Sequence, residues 1–178
     1  MENNQKVALF IDCENVSSKY IDEIMSELAN YGEVNIRKAY GNWKDNQLKG
    51  WNDKLFDFSL EPIHQPPYSS SKNKNATDIK MTVDIMKILC NTNNITHVAL
   101  ATSDSDFTPL VTEIRSQGVQ VIGFGEDKTN NVLQKACSEF LRLKIDNENS
   151  NNIKKNKQLI ALLKSAIEYT CMIAEKLW

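Results

Sequence analysis

The order of apolar runs in this chain predicts an α/β domain, a three-layer α/β/α arrangement with a central parallel sheet. Three observations predict it. Short runs of β-leaning residues, such as Val7–Ile11 and Val98–Ala101, are apolar at every position, which suits strands buried on both faces. Stretches of helical spacing separate the runs, and strands alternating with helices of this length argue parallel pairing. Aspartates follow the runs, Asp12 in VALFIDCEN and Asp104 with Asp106 in LATSDSDFTPLV. In an open parallel sheet, ligands sit just beyond the carboxyl ends of the strands.

Taken in order, Val7–Ile11 reads as the first strand, and Ile21, Ile24, Met25 and Leu28 recur at helical spacing until Gly32 stops that helix. Val34–Tyr40 is the second strand. A weaker amphipathic stretch, Leu48–Phe56, precedes a short strand near Phe58–Ile63, and HQPPYSSSKNKN is then a loop. Asn75 or Thr77 caps a helix whose Ile79, Val83, Met86 and Cys90 are expected to face inward, which puts Asp78 in its first turn. Val98–Ala101 is a strand, Phe107–Ser116 a helix with Phe107, Leu110, Val111 and Ile114 on one face, and Val119–Phe124 a strand. A short helix carries Val132, Leu133 and Ala136, and Phe140–Leu143 is an edge strand.

The chain of 178 residues is 41% hydrophobic, enough for one domain and a tail. The domain is expected over 1–144. From 145 to 157 the composition turns to IDNENSNNIKKNK, a polar linker, and 158–178 forms one amphipathic helix with Leu159, Leu162, Leu163, Ala166, Ile167 and Ile173 on its stripe. Such a helix packs on the domain, meets a partner protein or a second copy in a homo-oligomer, or opens a further domain. No run approaches the roughly 20 apolar residues of a bilayer span, and the N-terminus lacks a basic signal region, so a cytoplasmic protein without membrane contact is expected. The cysteines Cys13, Cys90, Cys137 and Cys171 form no C-x-x-C pair, which excludes the usual zinc spacings, and Cys13 reads as structural.

A net charge of −2 gives no global basic field for nucleic acid, but a carboxylate cluster subtracts charge that bound cations restore. Local cations are Lys72, Lys74 and Lys80 around Asp78, and Arg37 and Lys38 on the second strand. Asp12, Asp78, Asp104 and Asp106 fall on strand ends and helix starts, so all four can point into one cleft. Hard oxygen donors of this kind suit Mg2+ or Mn2+. Capping and helix-dipole roles compete at Asp78, Asp104 and Asp106. Asn15 can steer Asp12 or cap a helix, Thr102 and Ser103 occupy an anion-favouring turn, and Lys74 is placed to meet a substrate phosphate. Asp84 lies far round the helix from Asp78, and Glu14 reads as a solvated neighbour.

With these residues in place, the chain closely resembles the NYN domain, a branch of the PIN-like nucleases, and in particular its LabA-like group. FIDCENVS, KNATDIKMTVD, ATSDSDFTPLV and VQVIGFGE carry the likeness, in that order. The resemblance implies a PIN-like, Rossmann-like sheet and metal-dependent hydrolysis of RNA phosphodiesters. It makes Asp12, Asp78, Asp104 and Asp106 the metal ligands and catalytic residues, with Asn15 and Ser103 supporting them. It also implies the opening helix of a LOTUS domain in LIALLKSAIEY, cut short at Trp178. One bound ion or two would serve. Two rival readings are a non-catalytic RNA- or partner-binding module and a haloacid dehalogenase-type phosphohydrolase. The latter wants a second aspartate two residues after Asp12, where this chain has Glu14.

Overall fold

A computed structural model describes residues 5–66 and 75–144. The elements run β1 (Lys6–Asp12), α1 (Ile21–Leu28), β2 (Glu33–Gly41), α2 (Asn52–Asp57), β3 (Glu61–His64), α3 (Ala76–Asn91), β4 (His97–Ala101), α4 (Thr108–Ser116), β5 (Gln120–Gly125), α5 (Asn131–Ala136) and β6 (Glu139–Arg142). Short 3-10 segments lead into α1, α2 and α4. The linker 145–157, the helix 158–178 and residues Lys72 and Lys74 lie outside the described residues. Among the described residues no helix is long and apolar enough to cross a membrane.

All strand pairs are parallel, in the order β3-β2-β1-β4-β5-β6. The chain lays strands outward from β1 in one direction, then returns to start again on its other side at β4. The order therefore reverses between β1 and β4, the junction at which open α/β sheets bind ligands. β1 and β4 are almost wholly buried, while the edge strands β3 and β6 are largely exposed. This matches their sequences: unbroken apolar runs in the centre, mixed polar residues at the edges.

Alternate residues of each central strand feed two separate cores. Leu9, Ile11, Ala99 and Phe124 pack with Ile21, Ile24 and Leu28 of α1 and with Leu48 and Trp51 on one face. Ala8, Phe10, Val98 and Leu100 pack with Met81 and Ile85 of α3, Val111 and Ile114 of α4 and Leu133 of α5 on the other. Gly32, which ends the first crossover, has φ +152°, and a Cβ there would lie 2.3 Å from the Gln5 carbonyl oxygen. That close pass lets the Glu33 amide donate to the same carbonyl at 3.0 Å as β2 begins beside β1.

One expectation is overturned. The inward face of α3 is Thr77, Met81, Ile85 and Leu89, with Met86 partly buried against the same core as expected, whereas Ile79 and Val83 are 62% and 55% exposed and Cys90 also faces out. The helix carries two apolar stripes of helical period, and spacing alone does not say which meets the sheet. Met81, Ile85 and Leu89 meet the sheet, and Asp84 on the flank of that stripe accepts from Tyr40 Oη at 3.3 Å and from Lys80 Nζ at 2.6 Å. Asn75 stands at the cap position, but its side chain makes no capping bond. Met81→Ala is expected to cost about 2–5 kcal/mol of stability and Ile79→Ala less than about 0.5 kcal/mol, measured by urea unfolding.

Candidate functional site

Asp12 is the last residue of β1 and is 1% exposed. Its even position on the strand turns it toward the α3 and α4 side. Its Oδ1 accepts from the Glu14 and Asn15 amides at 3.2 and 3.3 Å. Its Oδ2 accepts from Asn15 Nδ2 at 2.7 Å and from Thr102 Oγ1 at 2.8 Å. Burial raises the carboxyl above its ordinary range, the Asn15 and Thr102 side chains oppose that rise, and the Glu14 charge adds to it. Asn15 therefore serves Asp12, and Ser17 takes the cap position of the following turn.

Thr102, just past β4, joins the two strand ends. Its amide donates to the Phe124 carbonyl at 2.9 Å, which anchors the turn on β5. Its hydroxyl donates to Asp12 and accepts the Asp104 amide at 3.1 Å. Asp104 caps the next turn, its Oδ1 taking the Asp106 amide at 2.9 Å. Capping and the cleft are thus compatible uses of one side chain, since a carboxylate offers about four acceptor sites. Ser103 is turned the other way, its Oγ accepting the Glu126 amide at 3.0 Å. Asp106 is exposed at the rim.

Asp78 enters from the first turn of α3, half-buried. Its pKa is pushed up to about 7, first by desolvation and then by the charges of Asp12, Asp104, Glu14 and Asp106. Those five carboxylates, drawn from β1, α3 and the turn after β4, thus share one electrostatic neighbourhood. Glu14 is the member that sequence reading left as a solvated side chain. Its Oε1 accepts the Asn42 amide at 3.0 Å, which holds its charge near the cleft. The signal available was only its adjacency to Asp12.

Among the described residues, three cations singled out from the sequence are engaged elsewhere. Lys80 pairs with Asp84 at 2.6 Å, Lys38 with Glu61 at 2.6 Å, and Arg37 donates to the carbonyls of Val34 and Phe58. The clustered negative charge with hard oxygen donors fits a divalent cation of the Mg2+ or Mn2+ kind. Among the described residues, no three His, Cys, Asp or Glu side chains already form a metal-holding group. The fit is one of donor chemistry and charge. Asp84 does not join the cluster, being held by Tyr40 and Lys80. Cys13 is buried beneath it, and burial together with Asp12 pushes its thiol well up, so it is a core residue rather than a nucleophile.

The NYN domain family matches this chain over residues 6–144. An uncharacterized protein of Methanocaldococcus jannaschii, MJ0482, is 27% identical over 167 residues, covering 89% of this chain. The chain spans 65% of the length of that relative. Among solved structures, a protein of unknown function from Vibrio parahaemolyticus, VPA0982, is similar in fold, with a TM-score of 0.66 at 20% identity, over 82% of this chain and 97% of that one.

Proposed function

This chain belongs to the NYN domain family, within the PIN-like nuclease superfamily, and from that premise we propose that it is a divalent-metal-dependent ribonuclease hydrolysing RNA phosphodiester bonds. The observation that carries the reading is the convergence of Asp12, Asp104, Glu14 and Asp106 on Asp78, whose carboxyl is lifted to about 7 first by desolvation and then by those charges, with no positive charge among the causes that come from the described residues. A structural ion-pair network would bring lysine or arginine to these groups. A cluster of one sign at the β1–β4 junction is instead suited to a cation and, through it, to an anionic phosphate.

Asp12, Asp78, Asp104 and Asp106 would hold Mg2+ or Mn2+. When bound, such an ion supplies Lewis acidity at the phosphoryl oxygens and lowers the pKa of water toward neutrality. The chain's own contribution is positioning. Asp12 is fixed by four donors, so its carboxylate does not have to reorganise when substrate arrives. Thr102 sets Asp12 and Asp104 in register through one hydroxyl. Lys74, proposed from the sequence to meet a phosphate, lies outside the described residues.

The test is cleavage of an end-labelled single-stranded RNA with Mn2+, with Mg2+ and with chelator. Cleavage with metal that stops on chelation is expected; intact RNA under every metal condition sinks the nuclease reading. As a positioning residue, Thr102 is expected to matter through its hydroxyl. Thr102→Val should lower activity about 10- to 100-fold and Thr102→Ser should restore most of it, as for groups that orient metal ligands. A serine variant as poor as the valine one would show that the methyl packing, and not the hydroxyl, is what counts.

A further inference from the structure

Strand register puts one further residue on the Asp12 face. β5 and β6 pair Gly125 with Arg142. The β4–β5 ladder pairs Ala101 with Phe124, and the Thr102 amide on the Phe124 carbonyl carries that register one residue on, to Thr102 beside Gly125. The β1–β4 ladder pairs Ile11 with Ala101, and the hydroxyl bond from Thr102 closes the next position, Asp12. Asp12, Thr102, Gly125 and Arg142 therefore form one row across the carboxyl edge. Alternation agrees: Phe10, Leu100 and Phe140, each two positions before a member of the row, all pack in the core under α3, α4 and α5.

Arg142 stands three strands from Asp12, about 14 Å at the usual strand spacing. Between Thr102 and Arg142 the row has no side chain, since a Cβ at Gly125 would lie 2.5 Å from Thr129 Oγ1 and 2.9 Å from the Thr102 carbonyl oxygen. Thr129 takes that space and anchors what holds Arg142. Gln134 of α5 donates from Nε2 to the Thr129 carbonyl at 2.7 Å, and its Oε1 accepts Arg142 Nη2 at 3.2 Å. The guanidinium is thus oriented by a neutral amide. Arg142 is exposed, and among the described residues it makes no ion pair, so its charge is uncompensated. Of the other arginines, Arg37 spends its donors on two carbonyls and Arg115 lies in the last turn of α4, toward the opposite edge. α5 touches both β6 and the turn that carries Asp106. A strand passing over its exposed, uncharged Asn130 and Asn131 leads from the cluster to Arg142.

We propose that Arg142, steered by Gln134, binds a backbone phosphate of single-stranded RNA a few nucleotides from the scissile one, on the β6 side of the cleft. The inference rests on the ribonuclease reading of the carboxylate cluster. The cluster repels every phosphate that a bound cation does not bridge, so a flanking phosphate needs a positive partner outside it. A guanidinium suits that task, since its planar fork matches phosphate oxygens. Such a contact fixes the register of the strand over the carboxylates without reading its bases.

Three variants of the full chain test it on a labelled single-stranded RNA, cleaved with Mn2+ over a range of salt. Arg142→Gln should raise KM about fivefold or more at low salt. Its kcat should stay within about twofold, because the contact is the same in ground and transition states. Its log KM should climb less steeply with log salt, by about 0.7, the share of one phosphate on a single strand. Arg142→Lys keeps the charge and should keep the slope. Lys87→Gln removes an exposed charge from the far half of α3, away from the carboxyl edge, and should change neither KM nor slope. All three should melt with the wild type. If Arg142→Gln keeps the wild-type KM and slope, or Lys87→Gln loses as much as it does, this inference is overturned alone. If the wild type neither binds nor cleaves RNA, the ribonuclease reading fails and takes the subsite with it.

Discussion

Replacing Asp12 with asparagine is expected to lower metal-dependent RNA cleavage by more than about 100-fold while leaving the melting temperature within about 2 °C of the wild type. The loss follows from position. Asp12 is the buried member of the cluster, fixed by four donors at the strand end. The fold should survive because the introduced amide can be satisfied in place. Its oxygen takes over the Glu14 and Asn15 amides, and its NH2 meets Asn15 and Thr102. Asn15 then presents its own oxygen after an amide flip, and the Thr102 hydroxyl, which already accepts the Asp104 amide, has a second lone pair for the new donor. Burial also disfavours the charge that the substitution removes. Steady-state cleavage and a thermal melt decide the matter: activity within about tenfold of the wild type would remove Asp12 from the chemistry.

With divalent ions chelated, the melting temperature is expected to fall as pH rises from about 4 to 7 through the contribution of Asp78, and to be restored by Mn2+ above that range. In the fold this carboxyl keeps its proton until about 7, whereas in the unfolded chain it loses it near 3.8. Between those values the native state binds more protons, so stability declines with rising pH. Below 3.8 the penalty is absent, and above about 7 it is complete. A cation that binds only the folded state raises the melting temperature, and more so where protons no longer compete for the carboxylate. Each kcal/mol involved moves the transition by about 2–4 °C at this chain length. Asp78→Asn should flatten the pH slope and shrink the Mn2+ response together. A variant that keeps the slope of the wild type would show that the proton is held elsewhere.

Much of the architecture was legible in the sequence because burial on both faces leaves an unambiguous mark. Val7–Ile11 and Val98–Ala101 are strands with no polar interruption, and both lie at the centre of the sheet. The edge strand β3 was less sharply bounded: Phe58 ends α2, and Ser59 adopts φ 50° before the strand begins at Glu61. The face of α3 was not legible at all, since Ile79 and Val83 repeat as regularly as Met81 and Ile85. Tertiary packing distinguishes them, with Met81, Ile85 and Leu89 in the core and Tyr40 Oη donating to Asp84 beside them. At the site, the types and order of the aspartates were readable, but their coupling was not. Thr102 and Asp12 stand ninety positions apart, and nothing local in either stretch announces that one hydroxyl holds both Asp12 and the Asp104 turn. The same applies to Glu14, whose influence on Asp78 arises from a backbone amide in the β2 turn.

The reversal of strand order beside β1 also sets when the carboxylate cluster comes together. β1, at the centre of the sheet, is made well before its neighbour β4, which begins only at His97. Until that partner emerges, Asp12 lacks the Thr102 hydroxyl and Asp104 has no counterpart across the junction. Contacts so distant along the chain form late, because the intervening loop must be closed before they are rewarded. A growing polypeptide therefore holds Asp12 and Asp104 apart until β4 and the turn after it have folded beside β1.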